Sequence, residues 1–174
     1  MSKTDERVVL LDEQGRPIGD MPKSTVHHQD TPLHLAFSCW VMDVAERVLV
    51  TRRSAVKRTW PLAWSNAICG HPTPGEDMVE AVRRRAATEL GLTLGSIEVV
   101  LPDFRYTARM ANGIVENEIC PVFRTVVATG SPLRPDPAEV ADWRWTSMAE
   151  LRADVATDPD AFSPWMIGQL TQLG

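Results

Sequence analysis

Ser65-Asn66-Ala67-Ile68-Cys69-Gly70-His71-Pro72, then Thr73-Pro74-Gly75-Glu76-Asp77 and a charged run ending in Thr88-Glu89-Leu90-Gly91-Leu92, is the stretch that decides the fold. Pro72, Pro74 and Gly75 hold the chain out of helix before the charged run begins. Gly75-Glu76-Asp77 then gives an acidic first turn, where negative charge meets the positive end of the helix dipole. At 100° per residue, Val79, Val82, Ala86 and Leu90 share one stripe, as in a helix that lies on a core. Gly91 follows as the C-cap. Arg85 and Glu89 sit one turn apart along the edge of that stripe. By itself such a pair is an ordinary surface ion pair worth about 0.2–0.5 kcal/mol. Ahead of the helix the reading is a loop that carries a thiol, Cys69, and an imidazole, His71, at a helix N-terminus, where anions are attracted. A free cysteine is commonly an inert small hydrophobe, which suits Cys39 and Cys120. Cys69, beside a helix start and basic residues, is expected to have thiolate character.

Outward from this stretch the chain reads mostly as strands. Val8–Leu11 and Ile18–Met21 flank the turn residues Asp12 to Pro17 and predict a hairpin. Residues 33–42 alternate, with Leu33, Leu35, Phe37, Cys39 and Val41 on one face and His34, Ala36, Ser38, Trp40 and Met42 on the other. Val48–Thr51 is the return strand, and Arg52 to Trp64 is an ordered loop, basic and then aromatic. Strands are expected over Ile97–Leu101, Phe104–Met110, Ile114–Val127 and Glu139–Thr146, with helices over Met148–Val155 and Pro164–Leu173. A three-residue loop Ala111–Gly113, with Gly113 left-handed, would set Tyr106 opposite Glu118. Strands, a central helix, further strands and terminal helices give an α+β fold: a mixed β-sheet core flanked by helices, with an added N-terminal hairpin and C-terminal helices, as one domain over residues 1–174.

Composition narrows the function classes. The 174 residues are 44% hydrophobic and 24% charged, the profile of a globular domain. A net charge of −5 argues against nucleic acid as partner. Three cysteines at unrelated spacings make no disulfide framework and suit a reducing cytosol. Met1 to Arg7 is charged with no apolar stretch behind it, so no signal peptide is expected. No apolar run approaches the roughly 20 residues of a membrane helix. The expectation is a cytoplasmic protein without a membrane partner.

Two sets of residues break pattern in a way that carries chemistry. Of the four histidines, His27, His34 and His71 are candidate ligands of a divalent metal. His34 points away from the Leu/Phe stripe of its strand. Glu116 and Glu118, two apart on a strand and so on one face, interrupt an apolar run. Three imidazoles and two carboxylates suit an octahedral Mn²⁺, Mg²⁺ or Zn²⁺. The second set is basic: Lys23, Arg53, Lys57 and Arg85, in an otherwise acidic protein, fit a diphosphate clamp, with Arg giving bidentate contacts and Lys a point charge. Each of these cations taken singly is more often a solvated charge.

The central stretch resembles the Nudix box, in which a glycine is followed after five residues by a glutamate, after seven more by an arginine, and then by a set of glutamates ahead of a glycine and an aliphatic residue. Gly70, Glu76, Arg84, Glu89, Gly91 and Leu92 match it. Arg85 and Thr88 stand where the box has acidic residues that hold water-activating cations. The resemblance therefore implies a Nudix-like fold and a diphosphate partner, and argues against hydrolysis. Over nearly its whole length the chain also resembles type I isopentenyl-diphosphate isomerases. The carrying stretches are Leu33–Ser38, Cys69-Gly70-His71-Pro72, Pro102–Tyr106, Gly113–Glu118 and Phe162-Ser163-Pro164-Trp165-Met166. That resemblance implies His27, His34, His71, Glu116 and Glu118 as ligands of a first divalent metal. It implies Glu89, with the Cys69 carbonyl, as the protein part of a Mg²⁺ site that grips the substrate diphosphate. Lys23, Arg53, Lys57 and Arg85 are then phosphate contacts, Cys69 the catalytic thiol, Glu118 with Tyr106 the opposing proton carriers, and Trp165 an aromatic wall. His28 has no implied role.

The implied activity interconverts isopentenyl and dimethylallyl diphosphate through a tertiary carbocation, in isoprene biosynthesis, by a monomer or weak homodimer. A Nudix-type diphosphate hydrolase is the competing enzyme class, and a non-catalytic binding module is a third reading.

Overall fold

The computed structural model describes residues 6–174, so expectations that fall on Met1–Asp5 lie outside the described residues. The chain forms two mixed sheets and a small number of helices. The first sheet has the order β2-β1-β3-β10-β9, built from β1 (Arg7–Leu11), β2 (Pro17–Pro22), β3 (His34–Leu35), β9 (Arg105–Arg109) and β10 (Val115–Ile119). The second runs β12-β5-β4-β11-β8, from β4 (Phe37–Asp43), β5 (Arg47–Arg53), β8 (Ile97–Leu101), β11 (Val122–Val127) and β12 (Val140–Ser147). Two short strands join it, β6 (Trp64–Asn66) on β5 and β7 (Ile68–Gly70) on β4.

Two strands that read as continuous in sequence are each cut in two. Residues 33–42 become β3 and β4, and residues 114–127 become β10 and β11. Pro121 carries no N–H and cannot extend a ladder. The two chains bend together: the Ala36 amide donates to the Ile119 carbonyl at 2.9 Å and the Ser38 amide to the Pro121 carbonyl at 3.2 Å. Parallel pairing thus survives the passage from one sheet to the other, with His34 opposite Glu118 before it and Ser38 opposite Val122 after it. The alternation also survives. Phe37, Cys39 and Val41 pack in one core and Ala36 and Trp40 in another.

The stretch before the central helix is not all loop, as its polar composition suggested. Ser65 and Asn66 lie on β6, and Cys69 lies on β7 with Ser38 as its ladder partner. Pairing with the buried strands β4 and β5 outweighs a composition of small and polar residues.

The first helix, α1 (Lys23–Val26), is a single turn. The central helix, α2 (Met78–Leu90), starts only after Gly75-Glu76-Asp77, the residues expected as its acidic first turn. Asp77 is its N-cap and accepts from the amides of Val79 and Glu80. Gly91, at φ 65°, ends it with its N–H turned back to the Ala86 and Ala87 carbonyls, a conformation that favours glycine. Ala81, Val82, Ala86 and Leu90 are buried against Phe37, Leu49 and Ile68, whereas Val79 is only partly covered. On the other side of the second sheet, α3 (Met148–Thr157), capped by a Ser147/Glu150 box, and α4 (Pro164–Gln172) cover a core of Trp40, Val50, Val122, Leu151 and Met166. No described helix is long and apolar enough to cross a membrane.

Glu76 and Arg84, two of the spaced residues of the central stretch, fasten the loop to α2. Arg84 Nε donates to Glu76 Oε1 at 2.7 Å, and Arg84 Nη2 reaches both Glu76 Oε2 at 2.9 Å and the His71 carbonyl at 3.2 Å. The Thr73 amide donates to the same carboxylate. The Arg84 hydrogen bond, ahead of the opposing effect of burial, holds the Glu76 carboxyl below its usual value of 4.5. A depressed carboxyl contributes stability that is complete above its unfolded-state value and is lost as pH falls through its native one. We expect Glu76→Gln to lower the thermal midpoint at neutral pH, with the difference from wild type closing as pH falls from about 5 to about 3. Melting curves across that range check this; a constant difference would show that Glu76 acts through packing alone.

Candidate functional site

Three imidazoles and one carboxylate meet where β3, β10 and the end of β7 come together. Among the described residues, His27, His34, His71 and Glu118 place their ligand atoms within 4.8 Å of one another. One oxygen is the centre: Glu118 Oε1 lies 3.2 Å from His34 Nε2, 3.0 Å from His71 Nε2 and 3.9 Å from His27 Nε2. His34 Nδ1 sits 2.9 Å from the Pro32 carbonyl, which can only accept, so that nitrogen carries a proton. In the neutral ring, Nε2 then turns a lone pair toward a carboxylate oxygen. His27 Nε2 and His71 Nδ1 are buried without a hydrogen-bond partner. Converging lone pairs and orphaned ring nitrogens are what a divalent cation would satisfy, and the donor set of imidazole and carboxylate suits one.

A neutral His71 and an ionised Glu118 suit a ligand cage, whereas the raised His34 favours the ring proton that a bound cation would displace. Burial pushes His71 down to about 3, so its ring is neutral. Burial also opposes charge on His34, but the Glu118 hydrogen bond and charge outweigh it and raise that ring. Glu118, though buried, is held well below the usual range by the rings of His27, His34 and His71 around it. Glu116 is raised, first by burial and then by the negative charge of Glu118. Glu116 is outside the four-residue group; its carboxylate receives the Tyr106 hydroxyl.

The β9–β10 hairpin has the expected register. Met110 and Ile114 close a three-residue loop, Gly113 is left-handed at φ 89°, and Tyr106 stands opposite Glu118. The phenol donates to Glu118 Oε2 at 2.8 Å and lies in short contact with Glu116. Burial, then the two carboxylates, raise its pKa well above 10, so it keeps its proton.

Cys69 lines one small cavity together with Tyr106, Glu116, Glu118 and Trp165, and the cavity is also lined by Lys23, Arg53, Lys57 and Arg85. All four basic residues singled out from the sequence thus reach the same place as the thiol. The expected thiolate character of Cys69 is corrected by its surroundings. Burial raises its pKa, and the hydrogen bond from Ser38 and the charge of Arg53 only partly offset that. Cys69 is therefore a neutral thiol, able to donate a proton.

The cations are already engaged. Lys23 pairs with Glu6, Lys57 with Glu139, and Arg85 with Glu89 and Glu139. Burial lowers Lys23, Lys57 and Arg85, and neighbouring cations add to this. Gly70 lets Arg85 cross the strand end: a Cβ there would lie 2.9 Å from Arg85 Cγ and 3.0 Å from Phe37 Cζ. Arg53 holds the following loop by donating to the Thr59 and Trp60 carbonyls, and its guanidinium lies 5.1 Å over the Trp165 ring. Trp60 and Leu62 in that loop take left-handed φ of 42° and 63°, which costs on the order of 1–3 kcal/mol each. Trp165 also contacts Trp60 and Tyr106, with ring centroids 5.7 and 5.8 Å away.

Sequence reading missed the polar residues around the thiol and the acidic partners of the cations. Ser38 and Asn66 lie 3.5 and 3.4 Å from Cys69 Sγ. A hydroxyl at position 38, on the face it shares with His34, was the available signal. Glu6 and Glu139 gave none, because each comes from a distant part of the chain.

The NUDIX domain family matches residues 32–166. Proteins described as isopentenyl-diphosphate Delta-isomerases are similar along almost their entire length. That of Clavibacter sepedonicus is 58% identical over 99% of this chain and 90% of its own. That of Paenarthrobacter aurescens is 54% identical over 97% and 90%, and that of Brevibacterium linens 53% over 97% and 91%. In fold, a Deinococcus radiodurans crystal structure superposes with a TM-score of 0.68 at 18% identity, covering 88% of this chain and 90% of that one. A MutT protein of Methanosarcina mazei gives 0.57 at 20% identity, covering 71% and 83%. The chain belongs to the NUDIX-domain family and, within it, to the isopentenyl-diphosphate Delta-isomerases.

Proposed function

We propose that the protein interconverts isopentenyl diphosphate and dimethylallyl diphosphate as a single domain, in the cytoplasm, as a monomer or weak homodimer with neither nucleic acid nor membrane as partner. The observation that carries this is one cavity lined by a neutral thiol, a tyrosine–carboxylate pair, an indole and four cations. Moving the double bond requires a proton added at one carbon and removed at another, with a tertiary cation between. Cys69 is one proton carrier. Glu118, with Tyr106 keeping its hydroxyl on the carboxylate, is the other. The Trp165 indole stabilises the cation by about 0.5–2 kcal/mol, and the apolar wall around it keeps water from trapping the cation.

Lys23, Arg53, Lys57 and Arg85 hold the diphosphate. The cavity opens to only about 60 Å³, against roughly 300–1,000 Å³ for ligand pockets in general. A neighbouring cavity of about 260 Å³ shares Lys23, Arg53 and Lys57. Parting of the Lys57–Glu139 and Lys23–Glu6 pairs is the step that lets a diphosphate exchange for the carboxylates. His27, His34, His71 and Glu118, with Glu116 beside them, would hold a divalent ion, Mn²⁺, Mg²⁺ or Zn²⁺. Glu89 and the Cys69 carbonyl would contribute to a second, Mg²⁺ site at the diphosphate. When bound, such ions would supply positive charge to Glu118 and to the phosphates.

Hydrolysis is the weaker reading because Arg85 and Thr88 occupy positions where hydrolysis needs carboxylates. Incubation with isopentenyl diphosphate in D₂O should give deuterated dimethylallyl diphosphate without phosphate release; released phosphate with no allylic product overturns the isomerase reading. Cys69→Ala should lower kcat by about 10²–10⁴ while the substrate still binds, as measured by calorimetry with isopentenyl diphosphate. Metal removal gives a second check. Protein stripped with a chelator should lose turnover and melt at lower temperature, and single additions of Mn²⁺, Mg²⁺ and Zn²⁺ should identify the ion that restores both. Full turnover in protein shown metal-free by elemental analysis would rule out the cage.

A further inference from the structure

A buried chain of hydrogen bonds leads from the second core to the Cys69 sulfur, and its direction is fixed at its far end. Trp40 is 2% exposed, and its indole N–H can only donate. It lies 2.8 Å from Gln169 Oε1, so the Gln169 amide must turn its oxygen toward Trp40. Its other end, Nε2, is then a donor, and it lies 2.9 Å from Ser38 Oγ. Gln169 is completely buried and Ser38 nearly so, which leaves no water to reverse the order. Ser38 Oγ therefore accepts from Gln169 and has one proton left to give. Among the described residues two partners stand within reach of that proton: Cys69 Sγ and Cys120 Sγ, each at 3.5 Å. Cys69, for its part, reaches Asn66 Oδ1 at 3.4 Å.

We propose that Ser38, oriented by Trp40 through Gln169, is a positioning residue that donates its hydrogen bond to the Cys69 sulfur and holds the sulfur during turnover. The proposal rests on the reading of Cys69 as a proton carrier. In that step the S–H bond breaks as a C–H bond forms, and the electron pair stays on sulfur; in the reverse direction the sulfur takes the proton back. No proton passes between Ser38 and Cys69. While both thiols are neutral, the Ser38 proton has two equal acceptors. Once Cys69 has given up its proton its sulfur is the charged one, and a hydrogen bond to an ionised acceptor is about twice as strong as one to a neutral group. The chain thus favours the charged sulfur more than the resting thiol, which is the differential stabilisation that raises kcat rather than substrate affinity.

A second hydroxyl is arranged in the same way but farther off. Ser65 Oγ accepts from Trp165 Nε1 at 2.9 Å and from Ser163 Oγ at 3.0 Å. Its own proton faces Asn66 Oδ1 at 3.3 Å and Cys69 Sγ at 4.0 Å. Ser38, at the shorter distance, is the residue to test.

Ser38→Ala removes one oxygen from the site and should lower kcat about ten- to a hundredfold, the scale of one hydrogen bond to an ionised acceptor, with KM for isopentenyl diphosphate within about threefold. Trp40→Phe keeps an aromatic ring but frees the Gln169 amide to turn over, so that Ser38 donates to Gln169 instead. It should lower kcat in the same sense, because Trp40 acts on Ser38 through Gln169. Ser38→Thr, which keeps the hydroxyl, should recover most of the rate. The infrared S–H band of Cys69, identified by its disappearance in Cys69→Ser, should shift in Ser38→Ala and in Trp40→Phe. Unchanged kcat in Ser38→Ala, a loss confined to KM, or an S–H band that does not move overturns the proposal. A wild-type chain that fails to isomerise isopentenyl diphosphate would overturn the activity instead, and the infrared band would still report on the hydrogen-bond chain.

Discussion

The pairing of His34 with Glu118 across a parallel ladder of only two residue pairs is the constraint on which the site depends. It sets an imidazole beside a carboxylate in the interior, where an unpaired charge would be prohibitively expensive. Everything near it is arranged to meet that cost. His71 comes from the end of β7 and His27 from the turn after α1, and both aim a ring nitrogen at the same oxygen. Tyr106, one strand further on, donates a hydrogen bond to the other oxygen of Glu118. The hydrogen bonds on Glu118 keep it ionised, and that fixed charge adds to the burial that raises Glu116 and Tyr106. One residue pair thus orders the protonation states of its neighbours.

The bend at Ala36 and Pro121 gives that pair its second use. Because β3–β4 and β10–β11 change sheets together, the residues that follow His34 and Glu118 along each strand, Ser38 and Cys120, come next to the thiol on β7. A straight pair of strands would carry the cage and the thiol surroundings along one sheet. The bent pair wraps them around one cavity. Proline at 121 does this by omission, since the ladder bond it cannot make is where the sheet is free to divide.

Periodicity made the elements legible and left their pairing largely hidden. The stripe on α2, the hairpins and the register of Tyr106 against Glu118 could be read because each depends on residues within one or two turns of chain. The resemblance to a known family supplied roles for His27, His34, His71, Cys69 and the four cations, and the structure gathers those residues in one region. What could not be read is what joins distant segments. The β3–β4 break needs knowledge of Pro121, some 85 residues away. The pairing of Lys57 with Glu139 spans 82 positions. The protonation of Cys69 was misjudged for the same reason: a thiol beside basic residues in a loop would ionise readily, but β7 buries the sulfur, and the loss of water outweighs the cations.

The carboxylates that face Lys23, Lys57 and Arg85 explain how a protein can keep a cluster of buried cations without the anion they are proposed to bind. Bringing like charges together in a partly dry cavity raises their energy, and the lowered pKa values of all three residues record that. Glu6, Glu89 and Glu139 neutralise them in the meantime. On the proposed function, an incoming diphosphate would exchange one set of ion pairs for another rather than neutralise bare charge. Such an exchange returns less binding energy than filling an unpaired site would, and it keeps the cations from closing on the wrong partner. Arginine at position 85, paired with Glu89, gives this face of the helix an ion pair where the Nudix box that it resembles has a further carboxylate, and on the proposed function that face restrains a phosphate group.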